Sequence, residues 1–261
     1  MHNDNGGERR QVKSRERVRK RGEVFTAERE VKAMCDLVKN ETERIDSTFL
    51  EPACGDGNFL VEILSRKLEV VRRCYAKSAD DLSFYSIRAL MSLYGVDILK
   101  DNVEACRKRL FNAWEDFFNA EMRRGGGRVS ARTGNGRAAS PHVAALSAVA
   151  RFVLECNILL GNTLSMKLVD GDGDDLVEPI VFTEWTFPMG RKVKRREYDL
   201  SVLMRKDERH DLIERTNYRE VHGGEKGTVI QPRFLREYPM VDYRELPHAD
   251  FANEKGDTHG S

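Results

Sequence analysis

An acid, a proline and two glycines follow a short apolar run in FLEPACGDGNFL, residues 49–60. The run predicts a strand that ends at Glu51, and the apolar residues after Gly57 predict a helix. A strand that passes through glycines into a helix N-terminus exposes backbone N–H groups to a closely approaching ligand. This arrangement suits an adenosine-containing cofactor at the carboxyl edge of a parallel sheet.

Three classes of ligand compete for this turn. A dinucleotide fingerprint requires a third glycine where Leu60 stands, and a phosphate loop requires a Gly-Lys-Ser/Thr sequence that is absent. The third ligand, S-adenosylmethionine, carries an ammonium group and a cationic sulfonium. An acid at the strand end attracts these charges and repels a pyrophosphate. Glu51 therefore favours S-adenosylmethionine.

A second acid follows the next predicted strand, in YGVDI at residues 94–98. The Asp97 carboxylate can accept hydrogen bonds from ribose hydroxyl groups, and Ile98 can lie against an adenine face. The separation from the glycine turn exceeds the roughly 20 residues of a plain βαβ unit. An additional helix near residues 79–91 accounts for the difference. The alternative is an aspartate that caps the next helix.

The elements that must position these residues alternate along the chain. Helical spacing of apolar residues begins with Val31, Met34, Cys35 and Val38 and recurs near residues 60–71, 79–91, 103–117 and 143–155. Apolar runs predict strands at residues 48–51, 92–98 and 156–162, and a hairpin turns at 189–190. This order predicts an α/β, Rossmann-like fold with a mostly parallel sheet and helices on both faces.

Composition and charge exclude several classes of protein. The 261 residues are 40% hydrophobic, enough for one main domain, and a net charge of +1 indicates no general affinity for nucleic acid. Five scattered cysteines disfavour a disulfide framework and a structural zinc site, so no metal is expected. No apolar run is long enough to span a bilayer, and no secretory signal is present. We expect a cytoplasmic protein without a membrane partner.

The stretch FLEPACGDGNFL resembles the cofactor motif of adenine-specific DNA methyltransferases of restriction-modification systems. Three further segments match in order: GEVFT at residues 22–26, GVDI at 95–98 and GNTL at 161–164. Ala27 and Asn162 stand where this family usually has proline and aspartate. The resemblance implies a methyltransferase fold that binds S-adenosylmethionine. The implied cofactor contacts are Phe25, Thr26, Glu51, Pro52, Ala53, Cys54, Gly55, Gly57, Asp97, Ile98, Asn162 and Thr163.

The acceptor motif of the same family is missing. Methylation of a base amino group needs acceptors for that group and an aromatic face for the extruded base, which the family supplies through Asn/Asp-Pro-Pro-aromatic. None of the seven prolines follows Asn, Asp or Pro. The nearest substitute is Glu184 as proton acceptor with Trp185 or Phe187 as stacking surface, and a weaker one contains Gln231 and Phe234. The alternative is ordinary packing of a hairpin and a loop.

Two basic stretches are candidates for contact with nucleic acid. One is RKVKRR, next to Trp185, although alternating charges also protect a strand edge against aggregation. Its basic residues are Arg191, Lys192, Lys194, Arg195 and Arg196. The other stretch lies in residues 1–21, which predict a basic and disordered arm. A methyltransferase domain at 22–200, with a flexible insertion at 123–142, and a polar extension at 201–261 complete the expected organisation.

The resemblance implies transfer of a methyl group to the exocyclic amino group of adenine in DNA. The missing acceptor motif, together with a C-terminal extension too small for a recognition domain, leaves alternatives open. One is a cofactor-binding subunit that needs a partner methyltransferase or specificity subunit. Another is a methyltransferase that acts on RNA or protein.

Overall fold

The computed structural model describes Arg19 and residues 26–124, 141–204, 218–222, 228–232 and 234–249. Of residues 203–204, 218–222 and 228–232 it describes the backbone only. Phe25, nearly all of the predicted basic arm, most of the predicted insertion and the side chain of Gln231 lie outside this description.

The elements of the described residues confirm the predicted alternation. The helices are α1 (Glu28–Leu37), α2 (Lys39–Thr42), α3 (Asn58–Tyr75), α4 (Ala79–Met91), α5 (Lys100–Arg124), α6 (Pro141–Asn157) and α7 (Leu200–Met204), with a 3₁₀-helix at Tyr243–His248. The strands are β1 (Phe49–Glu51), β2 (Leu93–Asp97), β3 (Ile158–Asn162), β4 (Lys167–Val169), β5 (Asp175–Pro179), β6 (Val181–Met189), β7 (Lys192–Asp199), β8 (Tyr218–His222), β9 (Thr228–Pro232), β10 (Arg236–Glu237) and β11 (Val241–Asp242).

The main sheet has five strands in the order β1-β2-β3-β4-β5. The first three are parallel, whereas β4 and β5 extend the sheet beyond β3 in antiparallel pairing. Glu51 lies opposite Gly95, and Asp97 lies opposite Leu160. The carboxyl ends of the three parallel strands therefore meet at one edge. An α/β fold with a partly parallel sheet is confirmed.

The two faces of β2 pack against different elements. Successive residues of a strand point to opposite faces, so Tyr94 and Val96 lie on one face and Gly95 on the other. Gly95 faces α3 so closely that an added Cβ would lie 2.9 Å from Cδ1 of Leu60. On the opposite face, the hydroxyl of Tyr94 donates to the carbonyl of Thr183 in β6 at 2.6 Å, and Val96 packs against Phe182. The hairpin therefore covers the Tyr94 face of β2, where a long helix was expected. The prediction of helices on both faces is wrong for this strand.

The predicted hairpin is confirmed, since β6 pairs with β7 in antiparallel orientation from Val181 to Met189. Gly190 adopts φ +56° in its turn. The strand β7 also pairs with β10 and β11. Beyond β11, Tyr243 and Leu246 are buried in the main core. Part of the predicted polar extension therefore packs onto the main body.

Candidate cofactor site

The glycine turn between β1 and α3 depends on left-handed backbone. Gly55 has φ +53° and Gly57 has φ +89°, in a region that residues with a Cβ rarely adopt. Gly57 is also the N-cap of α3, so the N-terminus of this helix opens at the turn. A Cβ on Gly57 would lie only 2.7 Å from Sγ of Cys106, because α5 packs closely behind the turn. Both glycines are therefore required by the local geometry.

Asp97 connects the turn to the next helix. Its Oδ2 accepts a hydrogen bond of 2.9 Å from the N–H of Gly55. Its Oδ1 accepts from the N–H of Leu99 at 2.8 Å and from Nδ2 of Asn102 at 3.2 Å, at the start of α5. The donor Leu99 lies just before α5 and the donor on Asn102 is a side chain, so capping of the helix by Asp97 stays an alternative. Contact with a ribose stays a prediction, and Ile98 lies partly exposed beside it.

Two further hydrogen bonds bring predicted cofactor segments to the same turn. The hydroxyl of Thr163, just after β3, donates to the carbonyl of Pro52 at 3.0 Å. Nδ2 of Asn58, in the first turn of α3, donates to the carbonyl of Thr26 at 3.2 Å. The segments around residues 26, 51–58, 97 and 162 therefore meet at one edge of the sheet, in the order that the sequence predicts.

Asn162 is held in place by its own neighbours. Its Oδ1 accepts from the N–H of Leu164 at 3.1 Å, and its Nδ2 donates to Oδ1 of Asp175 at 3.0 Å. Hydrogen bonds from Ser165 and from Asn162 lower the pKa of the Asp175 carboxyl. An amide oxygen has two lone pairs, so Asn162 can also accept from a ligand amino group. That contact stays a prediction.

Glu51 ends β1 as a partly buried carboxylate. Burial raises the pKa of its carboxyl above the usual value, while a hydrogen bond from the backbone N–H of Ala53 opposes this change. No cation among the described residues lowers the pKa of this carboxyl. A partly desolvated carboxylate without a counter-ion attracts a cationic ligand group.

Cys54 is buried beneath the same turn. A hydrogen bond with Cys106 and burial raise the pKa of its thiol. A protonated, buried thiol is a poor nucleophile, so its role is to fill space. The Gly95 backbone approaches it so closely that an added Cβ would lie 3.0 Å from the Cys54 sulfur.

The predicted catalytic pair lies at the other end of the sheet. Trp185 is 8% exposed, and its indole N–H donates to Oδ1 of Asn157 at 3.0 Å. Asn157 immediately precedes β3 and also donates to the carbonyl of Leu93, where β2 begins. At about 3.3 Å per residue, a five-residue strand separates this end from the glycine turn by roughly 13 Å.

The contacts of this pair are those of a packed hairpin. Glu184 is exposed and accepts a hydrogen bond of 3.2 Å from Tyr198, and Arg196 lies 3.7 Å away across the strands. Trp185 packs edge-on against Phe152 in the core. The structure does not bring Glu184 and Trp185 to the cofactor edge, and their role in chemistry stays a prediction.

The basic residues of the RKVKRR run, residues 191–196, are largely engaged within the chain. The ion pairs are Arg191–Asp81, Lys194–Glu237, Arg195–Glu197 and Arg196–Glu237. A phosphate group would have to displace these carboxylates before it could bind. Lys192 is exposed at the end of the strand. The alternative of a protected strand edge is wrong, because β7 pairs with β6 on one side and with β10 and β11 on the other. Nucleic-acid binding by this run stays a prediction.

A cavity of about 660 Å³ lies on the Tyr94 face of the sheet. Its lining includes Glu184 and Trp185 but none of the predicted cofactor residues. Sequence reasoning missed this cavity, since its walls come from β1, α4, β2 and the hairpin, which are distant along the chain. No local sequence pattern indicates it.

Comparisons with protein-family models, with curated proteins and with solved structures found no match to this chain. Among the helices of residues 26–124, 141–204 and 234–249, none has the length and apolar character needed to cross a bilayer. Over the same residues, no three His, Cys, Asp or Glu side chains converge as metal ligands.

Proposed function

We propose that the chain binds S-adenosylmethionine at the carboxyl edge of β1, β2 and β3, in a Rossmann-like methyltransferase fold. We further propose that it takes part in methylation of the exocyclic amino group of adenine in DNA. The observation that supports this most directly is Glu51, a partly buried carboxylate beside the glycine turn without a counter-ion in the described residues.

The residues at this edge fit the chemical groups of this ligand. Glu51 can bind its ammonium group, and the N-terminus of α3 can bind its carboxylate through backbone N–H groups. Asp97 and Asn162 offer oxygen acceptors for ribose hydroxyl groups and an adenine amino group. The ligand supplies an electrophilic methyl group, and these residues bind and orient it. A pyrophosphate would instead be repelled by the unpaired charge of Glu51.

A second candidate function is that of a cofactor-binding subunit. It is favoured by the position of Glu184 and Trp185 at the amino ends of β2 and β3, a strand length away from Glu51. Methyl transfer requires the amino group to be held close to the methyl group and in line with it. In this case a partner methyltransferase chain supplies the acceptor groups.

Transfer of a radiolabelled methyl group from S-adenosylmethionine to unmethylated DNA tests the proposal. Binding of the cofactor is measured on the same preparation, with Glu51→Gln as a variant of equal size that lacks the charge. Label at the adenine amino group with the chain alone supports a complete enzyme. Binding without label supports the subunit, and absence of binding refutes both.

A further inference from the structure

Arg109 of α5 contacts the residue that separates the two left-handed glycines of the turn. Its Nη1 donates to the main-chain carbonyl of Asp56 at 2.7 Å. The same nitrogen lies 2.7 Å from Oδ1 of the Asp56 carboxylate. Only 23% of the Arg109 side chain and 16% of the Asp56 side chain are exposed, so water screens this ion pair less than a surface pair. One guanidinium group therefore engages both the main chain and the side chain of the turn.

The glycines permit the conformation of the turn but do not select it. Glycine adopts positive and negative φ about equally readily, so Gly55 and Gly57 alone leave the turn several conformations. The N–H groups of both glycines donate to acceptors of β2 and of the turn itself. The carbonyl of Asp56, between them, accepts from Arg109. The contact with Arg109 therefore helps to select the left-handed backbone on either side of Asp56.

The contact attaches the turn to a long helix. Arg109 stands three residues after Cys106, so both lie on the face of α5 that packs behind the turn. Cys106 approaches Gly57 so closely that an added Cβ would lie 2.7 Å from its sulfur. Steric contact limits one glycine, and a hydrogen bond holds the residue before it. The 25 residues of α5 thus provide a rigid support for the turn.

The turn is rich in negative charge. Asp56 belongs to it, Glu51 ends the strand before it, and the Asp97 carboxylate accepts from it. Asp56 also immediately precedes Gly57, the N-cap of α3. A ligand carboxylate at the N-terminus of α3 would be repelled by the charge of Asp56. Arg109 carries a positive charge that compensates it.

We propose that Arg109 is a positioning residue of the cofactor site. It holds the Asp56 carbonyl, and with it the turn, and it compensates the Asp56 carboxylate where the carboxylate of the ligand binds. The ligands that depend on Arg109 are those with an amino-acid end. This dependence rests on the proposed function, whereas the hold on the turn does not.

Two ligands that differ only in one carboxylate test the proposal. Titration calorimetry on the full chain measures the affinities for S-adenosylmethionine and for decarboxylated S-adenosylmethionine. Arg109→Met should bind S-adenosylmethionine about tenfold more weakly, as for loss of a charged hydrogen bond. The ratio of the two affinities should shift about fivefold toward the decarboxylated ligand, because the charge of Asp56 is no longer compensated. A role in stability alone would weaken both ligands equally.

Three further variants locate the effect. Arg109→Lys keeps the charge and should keep more of the preference for the carboxylate than Arg109→Met does. Asp56→Asn, added to Arg109→Met, removes the uncompensated charge and should recover most of the preference. Arg107→Met is the matched control, because Arg107 lies on the same helix but donates to the carbonyl of Ile158 at 2.9 Å, where β3 begins. It should leave the preference unchanged. Equal weakening of both ligands by Arg109→Met, or no recovery with Asp56→Asn, overturns the proposal.

Hydrogen exchange of the ligand-free chain separates this role from the proposed function. Arg109→Met should accelerate exchange of the N–H groups of Gly55 and Gly57 about tenfold, whereas Arg107→Met should not. Unchanged exchange overturns the hold on the turn. If the unmodified chain binds neither ligand, the proposed function is refuted and the role toward a ligand with it. If the unmodified chain binds S-adenosylmethionine and Arg109→Met changes neither preference nor exchange, the role of Arg109 alone is refuted.

Discussion

Gly57→Ala measures how closely the glycine turn packs against α5. Gly57 has φ +89°, and an added Cβ would lie 2.7 Å from Sγ of Cys106. Gly190, in the hairpin turn, has φ +56° with nothing within 4 Å of such a Cβ. Gly190→Ala therefore introduces unfavourable backbone alone, whereas Gly57→Ala adds a steric contact. The difference between the two variants isolates that contact.

The expected losses in the free energy of unfolding follow from the left-handed backbone and from the steric contact. Left-handed backbone costs alanine about 1–2 kcal/mol, and the lower entropy of the unfolded chain offsets about 0.4–1 kcal/mol. We expect Gly190→Ala to lower the free energy of unfolding by about 0.5–1 kcal/mol. Overpacking adds about 1–3 kcal/mol, so Gly57→Ala should lower the free energy of unfolding by about 1.5–4 kcal/mol in total.

Urea denaturation followed by tryptophan fluorescence measures both free energies. Adding Cys106→Ala to Gly57→Ala should couple favourably in a double-mutant cycle, because it removes the sulfur that the new methyl group meets. Equal losses for Gly57→Ala and Gly190→Ala, within about 0.5 kcal/mol, would refute the close packing of turn and helix.

Three further predictions concern other parts of the chain. Burial lowers the pKa of Lys67 to about 7. Between this pH and the ordinary lysine value near 10.5 the unfolded chain binds more protons, so the free energy of unfolding should rise with pH by up to about 1.4 kcal/mol per pH unit. Urea titrations across this window should show the rise, and Lys67→Met should remove it. Trp185→Phe should lower the free energy of unfolding by about 1–3 kcal/mol, because Oδ1 of Asn157 loses its buried hydrogen-bond donor. Calorimetry should show unchanged cofactor affinity for this variant. A loss of cofactor affinity without a loss of stability would contradict the packing role. Arg191→Ala should leave the salt dependence of DNA binding unchanged, because Asp81 already pairs with this residue, and a slope reduced by about one would contradict this.

Local patterns predict most of the elements but not all of their buried faces. In α3, Leu60, Leu64 and Leu68 are buried as their helical spacing requires. In α1 the same spacing predicts a buried stripe that continues to Val38, the residue after the helix, yet Met34 and Val38 are 52% and 48% exposed. The spacing of apolar residues identifies a helix because it depends only on the local sequence. The burial of those residues also depends on which other elements the helix packs against.

The candidate site was predictable where it depends on a few adjacent residues. The glycines and Glu51 belong to one turn, and the ends of parallel strands meet at one edge in any such sheet. The position of Trp185 was not predictable, because it depends on the direction in which β6 crosses the sheet. The carboxylate of Asp97 could be assigned to a strand end, but its bond to Gly55 joins residues 42 positions apart.

Binding of S-adenosylmethionine to the full chain, measured by titration calorimetry with Glu51→Gln as the matched variant, tests the central claim most directly. We expect one molecule to bind per chain at neutral pH, and Glu51→Gln to bind about tenfold more weakly or worse, as for loss of a charged hydrogen bond. Because burial raises the pKa of Glu51, affinity should fall as acidification protonates this carboxyl, and the variant should lack that fall. Absence of binding, or equal binding by Glu51→Gln, would contradict the account.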